Sequence, residues 1–494
     1  MQKIIVCFLL LCGIMFAQQT PLEISNYTKV TLHPELTRFI KETTEKADLI
    51  KSEVFAQSGE GKDLYVVYFS KSGFGKDTSK IKVLIFCQQH GNEQSGKEGG
   101  MLLIRELLKP ENLYLFDKID FAIVPQVNPD GSEKNERRNK NEMDLNRNHL
   151  ILSEPETIGL HKLFNKYLFE ATMDVHEYFP YGETWKNFGY RSNNDIEIGV
   201  TTNINISEKI RNISLREYVP FIKKHLNKNN VSFFEYTPGG PPEGEYIRRS
   251  TFDINDGRQS FGIQNTFSII QEGMNGTDRL VDNIKHRAES QMTGMRGFIE
   301  FVYNHKDEIK GMVDEGRKML TENKVSPKVA IQLDHFPDGS KLELPLYSYF
   351  SNKDTVITVS NYRPIVKALY EVERPAGYLI PKRLKEITDW ADRHGIKYWD
   401  YVKTDKDKYE QYYISGIDSM DFEGDIIVNP AVETKNIQGN LLKDDYVFVP
   451  VKQIKNNMIV TALEPKSELG LVTYKNFEHL VKKGEYYPIL RVIK

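Results

Sequence analysis

Ile81-Lys82-Val83-Leu84-Ile85-Phe86-Cys87 runs without a break into Gln88-Gln89-His90-Gly91-Asn92-Glu93, and this stretch decides the architecture. The apolar half carries hydrophobic side chains on both faces near its end, which suits an interior strand buried by neighbours rather than an edge. The polar half then places an imidazole and a carboxylate three residues apart just beyond that strand. Gly91 is expected to permit a sharp turn there, so that both side chains converge on one point.

Working outward, Leu64 to Phe69 reads as a preceding strand, and Leu36 to Phe55 has helix-like spacing of apolar and charged residues. Downstream, Gly99 to Leu108 predicts a helix, Phe121 to Pro125 a strand, Glu156 to Leu168 a helix, Ala171 to Val175 a strand and Ile206 to Lys224 a helix. Thr266 to Gln271 returns to strand pattern and delivers Glu272, after which helical text continues to about Leu320. Such alternation favours an α/β sandwich around a mixed sheet, with polar residues at the strand ends as the expected place for a site. Between these elements, Tyr236 to Gly262 is a long loop-rich stretch containing Pro238-Gly239-Gly240-Pro241-Pro242. Loops of this length are usually functional or mobile.

The character changes near Lys324. Short strands are expected at Leu342 to Phe350, Thr355 to Thr358, Tyr409 to Ser415 and Tyr446 to Pro450, with a helix at Pro381 to His394. The domain reading is therefore 1–17 as a signal peptide, 18–323 as a catalytic domain and 324–494 as a smaller β-rich α+β domain. The signal reading rests on Lys3, the apolar run Ile4 to Phe16 and the small residue Ala17. Leu11 before Cys12 does not suit a lipoprotein anchor, and no later stretch is long and apolar enough to span a bilayer. A secreted or periplasmic location is the expectation.

Composition narrows the classes further. Loss of Lys3 with the signal takes the formal net charge from −3 to −4, and lysines alternate with acidic residues along the chain, a pattern of solvated surface with nothing that points to nucleic acid. Of three cysteines, Cys7 and Cys12 lie in the signal segment. The lone Cys87 excludes an internal disulfide, so a large core, a metal, or both must hold the mature chain together.

A catalytic zinc site usually takes three protein ligands and leaves a position open. His90 and Glu93 offer two, and His176, at the end of the strand Ala171 to Val175, offers the third. No His-Glu-x-x-His pattern occurs, which excludes the helix-borne arrangement. Hydrolysis also needs a base for the attacking water. Glu272 is the candidate, although spacing alone leaves a solvated loop residue equally open.

Asn128-Pro129-Asp130-Gly131, Arg137-Arg138-Asn139 and Asp144-Leu145-Asn146-Arg147-Asn148, together with His90-x-x-Glu93 and Asp174-Val175-His176, resemble the M14 metallocarboxypeptidases, the zinc carboxypeptidases. The matching segments fall in order across Leu64 to about Thr293. The resemblance implies a three-layer α/β/α sandwich around a mixed sheet of about eight strands. It implies one zinc ion on His90, Glu93 and His176, with Glu272 as general base. Arg137 is implied as the arginine that polarises the scissile carbonyl, with Arg138 adjacent. Asn146 and Arg147 are implied as the clamp for a terminal carboxylate, a role that suits the rigid donor fork of a guanidinium. The tyrosine that closes over the substrate is Tyr246 or Tyr236.

Arg374 to Pro381, His394-Gly395-Ile396, Val449 to Gln453 and Leu463-Glu464-Pro465 are similar to the accessory domain of secreted bacterial members. The expected function is removal of C-terminal residues from peptides with a free carboxylate. Two alternatives stand beside it: hydrolysis of γ-linked or D-amino-acid cell-wall peptides, and a catalytically silent peptide-binding module. Side-chain preference and oligomeric state are not encoded in these motifs.

Overall fold

A computed structural model describes residues 18–242, 244–403, 408–422, 424–437 and 445–493. The signal-peptide expectation for residues 1–17 lies outside the described residues. Eight strands build the main sheet: β1 Ile50–Gln57, β2 Asp63–Phe69, β3 Ile81–Cys87, β4 Ile119–Val124, β5 Ala171–Tyr178, β6 Ile196–Val200, β7 Phe233–Glu235 and β8 Phe267–Met274. Their spatial order is β1-β2-β4-β3-β5-β8-β6-β7. The β4-β3-β5-β8 centre is parallel, and β1, β2 and β6 join antiparallel to their inner neighbours. The sheet is therefore mixed, as the alternation of elements predicted.

The period-two alternation along β3 explains the three layers. Val83, Ile85 and Cys87 enter one apolar cluster with Met101 and Ile104 of the helix Gln94–Leu107 and Met295 and Phe298 of the helix Ile284–Asn304. Leu84 and Phe86 face the other way, into a cluster with Leu160, Leu163 and Phe164 of the helix Pro155–Tyr167. These helices are α2 Gln94–Leu107, α3 Pro155–Tyr167 and α6 Ile284–Asn304; α1 is His33–Glu45, α4 Val219–Lys228, α5 Gly257–Gly262 and α7 Lys306–Glu322. Each fully buried Phe or Leu contributes about 1.5–3 kcal/mol, so β3 is anchored from both faces.

Three expectations are corrected. The helical reading of 36–55 breaks after Glu45, and Ile50–Gln57 becomes the edge strand β1, where the ladder to β2 outweighs a mixed polar pattern. The helix expected over 206–224 is interrupted by a π-helical turn at Ser214–Tyr218, ahead of Pro220, which lacks the N–H that a regular helix requires. Strands β5 and β8 run past Val175 and Gln271, so His176 and Glu272 lie within strands rather than beyond them.

The C-terminal part is β-rich and smaller. β9 Lys328–Phe336 pairs with β12 Ile365–Glu373, and β10 Leu342–Ser348 forms a hairpin with β11 Lys353–Val359. A six-stranded sheet contains β13 Gly377–Pro381, β14 Trp399–Asp400, β15 Lys408–Phe422, β16 Asp425–Ile437, β17 Tyr446–Pro450 and β18 Leu490–Ile493. Helix α8, Lys385–His394, starts four residues later than expected because Pro381 still pairs with Tyr446. Ile387, Trp390 and Ala391 of α8 belong to the same apolar cluster as the inner face of β3, so the core is continuous between the two parts. No helix among the described residues is long and apolar enough to cross a membrane.

Candidate active site

Parallel pairing of β5 and β8 sets Glu272 beside His176, and pairing of β3 with β5 sets Phe86 beside Asp174. Beyond β3 the chain turns at Gln88, which adopts φ +59°, and Glu93 becomes the N-cap residue of α2. Gly91 is required by crowding rather than by a left-handed backbone. A Cβ there would stand 2.1 Å from the Gly131 carbonyl carbon and 2.4 Å from Glu136 O. The Asn128–Gly131 segment is thus the wall against which the ligand turn is folded.

This packing brings His90, Glu93 and His176 together, all buried. His90 Nδ1 lies 2.8 Å from Glu93 Oε1, His176 Nδ1 lies 3.0 Å from Glu93 Oε2, and the two Nδ1 atoms are 3.1 Å apart. Zinc held at about 2.1 Å by tetrahedral donors spaces them about 3.4 Å apart, so the donor set fits the ion with an opening of a few tenths of an ångström. His90 Nε2 contacts Asp144 Oδ1 at 3.0 Å, and Arg137 Nη1 donates to His90 Nδ1 at 3.1 Å. Nε2 therefore carries the proton and the Nδ1 lone pair faces the metal position, the usual device for orienting a ligand. His176 Nε2 lies 2.8 Å from Asp174 Oδ1. Burial opposes ionisation of Glu93, yet the two imidazoles hold its carboxyl well below the usual range.

A cavity of about 370 Å³ opens over these donors and is also lined by Arg137, Asn146, Arg147, Tyr236, Arg258, Ile270 and Glu272. Glu272 is 8% exposed. Burial, reinforced by Glu93 and Glu197 against the opposing His176, pushes its carboxyl up to about 8. Glu197 is its register partner on β6 and is itself pushed up to about 7 by burial. Arg137 is braced by Asp144, with Nε 2.9 Å from Oδ2, whereas the Arg138 guanidinium turns away to Glu142 O. Asn146 Oδ1 accepts from Gly257 N at 2.8 Å, and Arg147 Nη1 donates to Asn146 O at 3.0 Å.

Seven of the eight sequence-derived residues, His90, Glu93, His176, Glu272, Arg137, Asn146 and Arg147, line this one cavity or its metal position. Tyr246 does not. Its hydroxyl contacts Asp334 at 3.2 Å, the Arg363 guanidinium lies 4.0 Å over its ring, and it faces a neighbouring cavity. Tyr236 occupies the zinc cavity instead, because β7 ends at Glu235 and releases it toward Glu272. Sequence reasoning missed the supporting carboxylates Asp144 and Asp174, although both stand inside the quoted motifs. It also missed Arg258, for which no motif offered a signal.

The model of the zinc carboxypeptidase family matches residues 36–197, which include every one of these residues that lies before β6, but not Glu272. Carboxypeptidase 2 of Trichophyton tonsurans is 24% identical over 462 residues, covering 88% of this chain and 81% of that protein. Carboxypeptidase D of Mus musculus is 25% identical over 261 residues, 45% of this chain and 18% of that protein. Among solved structures, a metallo-carboxypeptidase from Pseudomonas aeruginosa superposes with TM-score 0.43 at 16% identity, covering 56% of this chain and 69% of that one.

Proposed function

We propose that the chain is a member of the M14 zinc carboxypeptidase family, whose model matches residues 36–197, and that the residues lining its cavity divide the labour among them. The activity itself, zinc-dependent carboxypeptidase hydrolysis at a His90-Glu93-His176 centre, follows from the family and the donor cluster. Zinc bound there supplies Lewis acidity, which polarises a carbonyl and makes water a better acid. Glu272 takes the proton of the attacking water and returns it to the departing amine. Its buried position on the wall of the cavity that holds the metal donors places it for both transfers. Arg137 stabilises charge that develops on the carbonyl oxygen. Asn146 and Arg147 hold the terminal carboxylate, and Tyr236 closes the same space.

The observation that carries this reading is the convergence of a buried carboxyl and two arginines on the cavity that holds the metal donors. The substrates are ordinary peptides with a free C-terminal carboxylate. Location outside the cytoplasm is supported by Lys3, Ile4 to Phe16 and Ala17. Assignment to the secreted bacterial type with a C-terminal accessory domain is supported by the Arg374 to Pro381 and Val449 to Gln453 segments.

A mass-resolved digest of a mixed peptide pool, including γ-linked and D-amino-acid cell-wall peptides, tests the reading with the zinc-loaded protein and Glu272→Gln. Stepwise loss of C-terminal residues from ordinary peptides, absent in the variant, is the expected result. Cleavage confined to cell-wall peptides moves the function to envelope remodelling, and no cleavage of either set leaves a peptide-binding module.

A further inference from the structure

Behind the cavity floor, one buried amide joins the two halves of the site. Gln89 Nε2 donates to Asp174 Oδ1 and Oδ2 at 3.0 and 2.9 Å and to Asn146 Oδ1 at 3.2 Å. Its three neighbours are all acceptors, so the other end of the amide must be Oε1, which lies 2.7 Å from His149 Nε2. That nitrogen therefore carries a proton, and His149 Nδ1 accepts from His161 Nε2 at 3.0 Å. Gln89, His149 and His161 are fully buried. Burial holds the His149 imidazole down at about 3 and His161 well below its usual range, so the neutral tautomers that the hydrogen bonds demand are the stable ones.

The next residue ties this network to the C-terminal part. Leu150 O accepts from Trp390 Nε1 at 2.8 Å and from His394 Nε2 at 2.7 Å, both on α8 and both fully buried. Two donors from one helix thus fix the backbone that follows Asn146 and Arg147 by four and three residues. Since Asn146 Oδ1 is occupied by Gln89 and Gly257, its Nδ2 is the group left for a carboxylate.

We propose that Gln89 is a positioning residue, held through His149 and Leu150 by the C-terminal helix Lys385–His394, that fixes the carboxylate clamp and the His176 ligand in one arrangement. The proposal rests on the clamp role given above to Asn146 and Arg147. It assigns the C-terminal part a task in catalysis besides packing, since α8 holds the clamp segment from outside the main sheet.

The test compares His149→Leu, His149→Gln, Trp390→Phe and Arg147→Gln in the full zinc-loaded chain. KM and kcat are read on a peptide with a free C-terminal carboxylate, and zinc loss to a chelator is timed. His149→Leu removes the donor to Gln89, and KM and the rate of zinc loss are each expected to rise about tenfold, the scale of one buried hydrogen bond. His149→Gln places an amide nitrogen where Nε2 stood and is expected to restore both to within about threefold. Trp390→Phe keeps an aromatic side chain, removes the N–H donor together with part of the indole, and moves both readouts in the same direction by a smaller factor.

The proposal is overturned if the two His149 variants lower kcat alike while KM and zinc loss stay at the parental values. If His149→Leu does not fold, Trp390→Phe decides, and unchanged KM and zinc loss in it overturn the proposal. Arg147→Gln separates the premises. Unchanged KM in that variant sinks the clamp reading, whereas raised KM there with parental KM in the His149 and Trp390 variants sinks only the inference.

Discussion

Glu272 and His176 are register partners on adjacent parallel strands, so the proposed base and a metal donor are placed by the same backbone ladder that holds the sheet together. Neither depends on a loop for its position, and strand-borne sites are held more tightly than loop-borne ones. Glu272→Gln is close to isosteric and removes only the capacity to accept a proton. Turnover is expected to fall about 10²- to 10⁴-fold, the usual contribution of a positioned base. Zinc content, read by metal analysis, is expected to match the parent.

Arg137 is braced by Asp144 and reaches the cavity while remaining partly exposed. If it acts on developing oxyanion charge, Arg137→Ala lowers kcat about 10²- to 10³-fold with KM changed little, as for loss of one oxyanion donor. Steady-state kinetics on one peptide series measure the split. A rise in KM with kcat retained would instead make Arg137 a binding residue.

Metal should report on folding as well as on turnover. Zinc that binds the folded His90-Glu93-His176 set alone raises the unfolding free energy by about 4 kcal/mol at a thousandfold excess over its Kd. Thermal unfolding with and without a chelator measures the shift. It is expected to vanish in His176→Ala, and chelated enzyme is expected to regain turnover on zinc addition.

Acid should destabilise the protein through its interior histidines. Burial keeps His149 at about 3 and holds His161 and His394 well below their usual range, so the folded state excludes protons that the unfolded chain takes up below about pH 6.5. Stability is therefore full above that pH and is lost as pH falls toward the folded values. Each such histidine adds about 1.4 kcal/mol per pH unit to the slope. Denaturant unfolding between pH 7 and 4 is expected to show a shallower slope in His161→Gln, which keeps a donor toward His149 and removes one titrating group. An unchanged slope would contradict this account.

Gly91→Ala tests the wall behind the ligand turn. The added methyl meets backbone atoms of Gly131, Ser132 and Glu136 at 2.1–2.4 Å, none of which is the end of a flexible side chain. A loss of about 3 kcal/mol or more in unfolding free energy is expected, together with weakened zinc binding, because His90 and Glu93 flank the forced segment.

Periodicity and motif determined much of this protein. The two-faced hydrophobicity of Ile81–Cys87 marked an interior strand, and His90, Glu93 and His176 could be named as donors before any coordinates, because ligand chemistry is local to residue type and strand position. The family resemblance carried by separated short motifs also implied that Arg137, Asn146 and Arg147 share one site. Other features had no local signature. Tyr236 and Tyr246 lie ten residues apart in one polar loop, and only the end of β7 and the contact with Asp334 decide which faces the zinc cavity. The edge strand at Ile50–Gln57 reads as helix because its mixed polar pattern lacks a strand alternation, and the hairpin ladder to Asp63–Phe69 is what makes it a strand. Gly91 read as a turn glycine, but the Gly131 backbone beside it sets the requirement. The bridge from Trp390 and His394 through Leu150 and His149 to Gln89 joins residues some 300 positions apart. Tertiary packing alone decided those contacts, since a buried donor is satisfied by whatever acceptor the fold brings within about 3 Å.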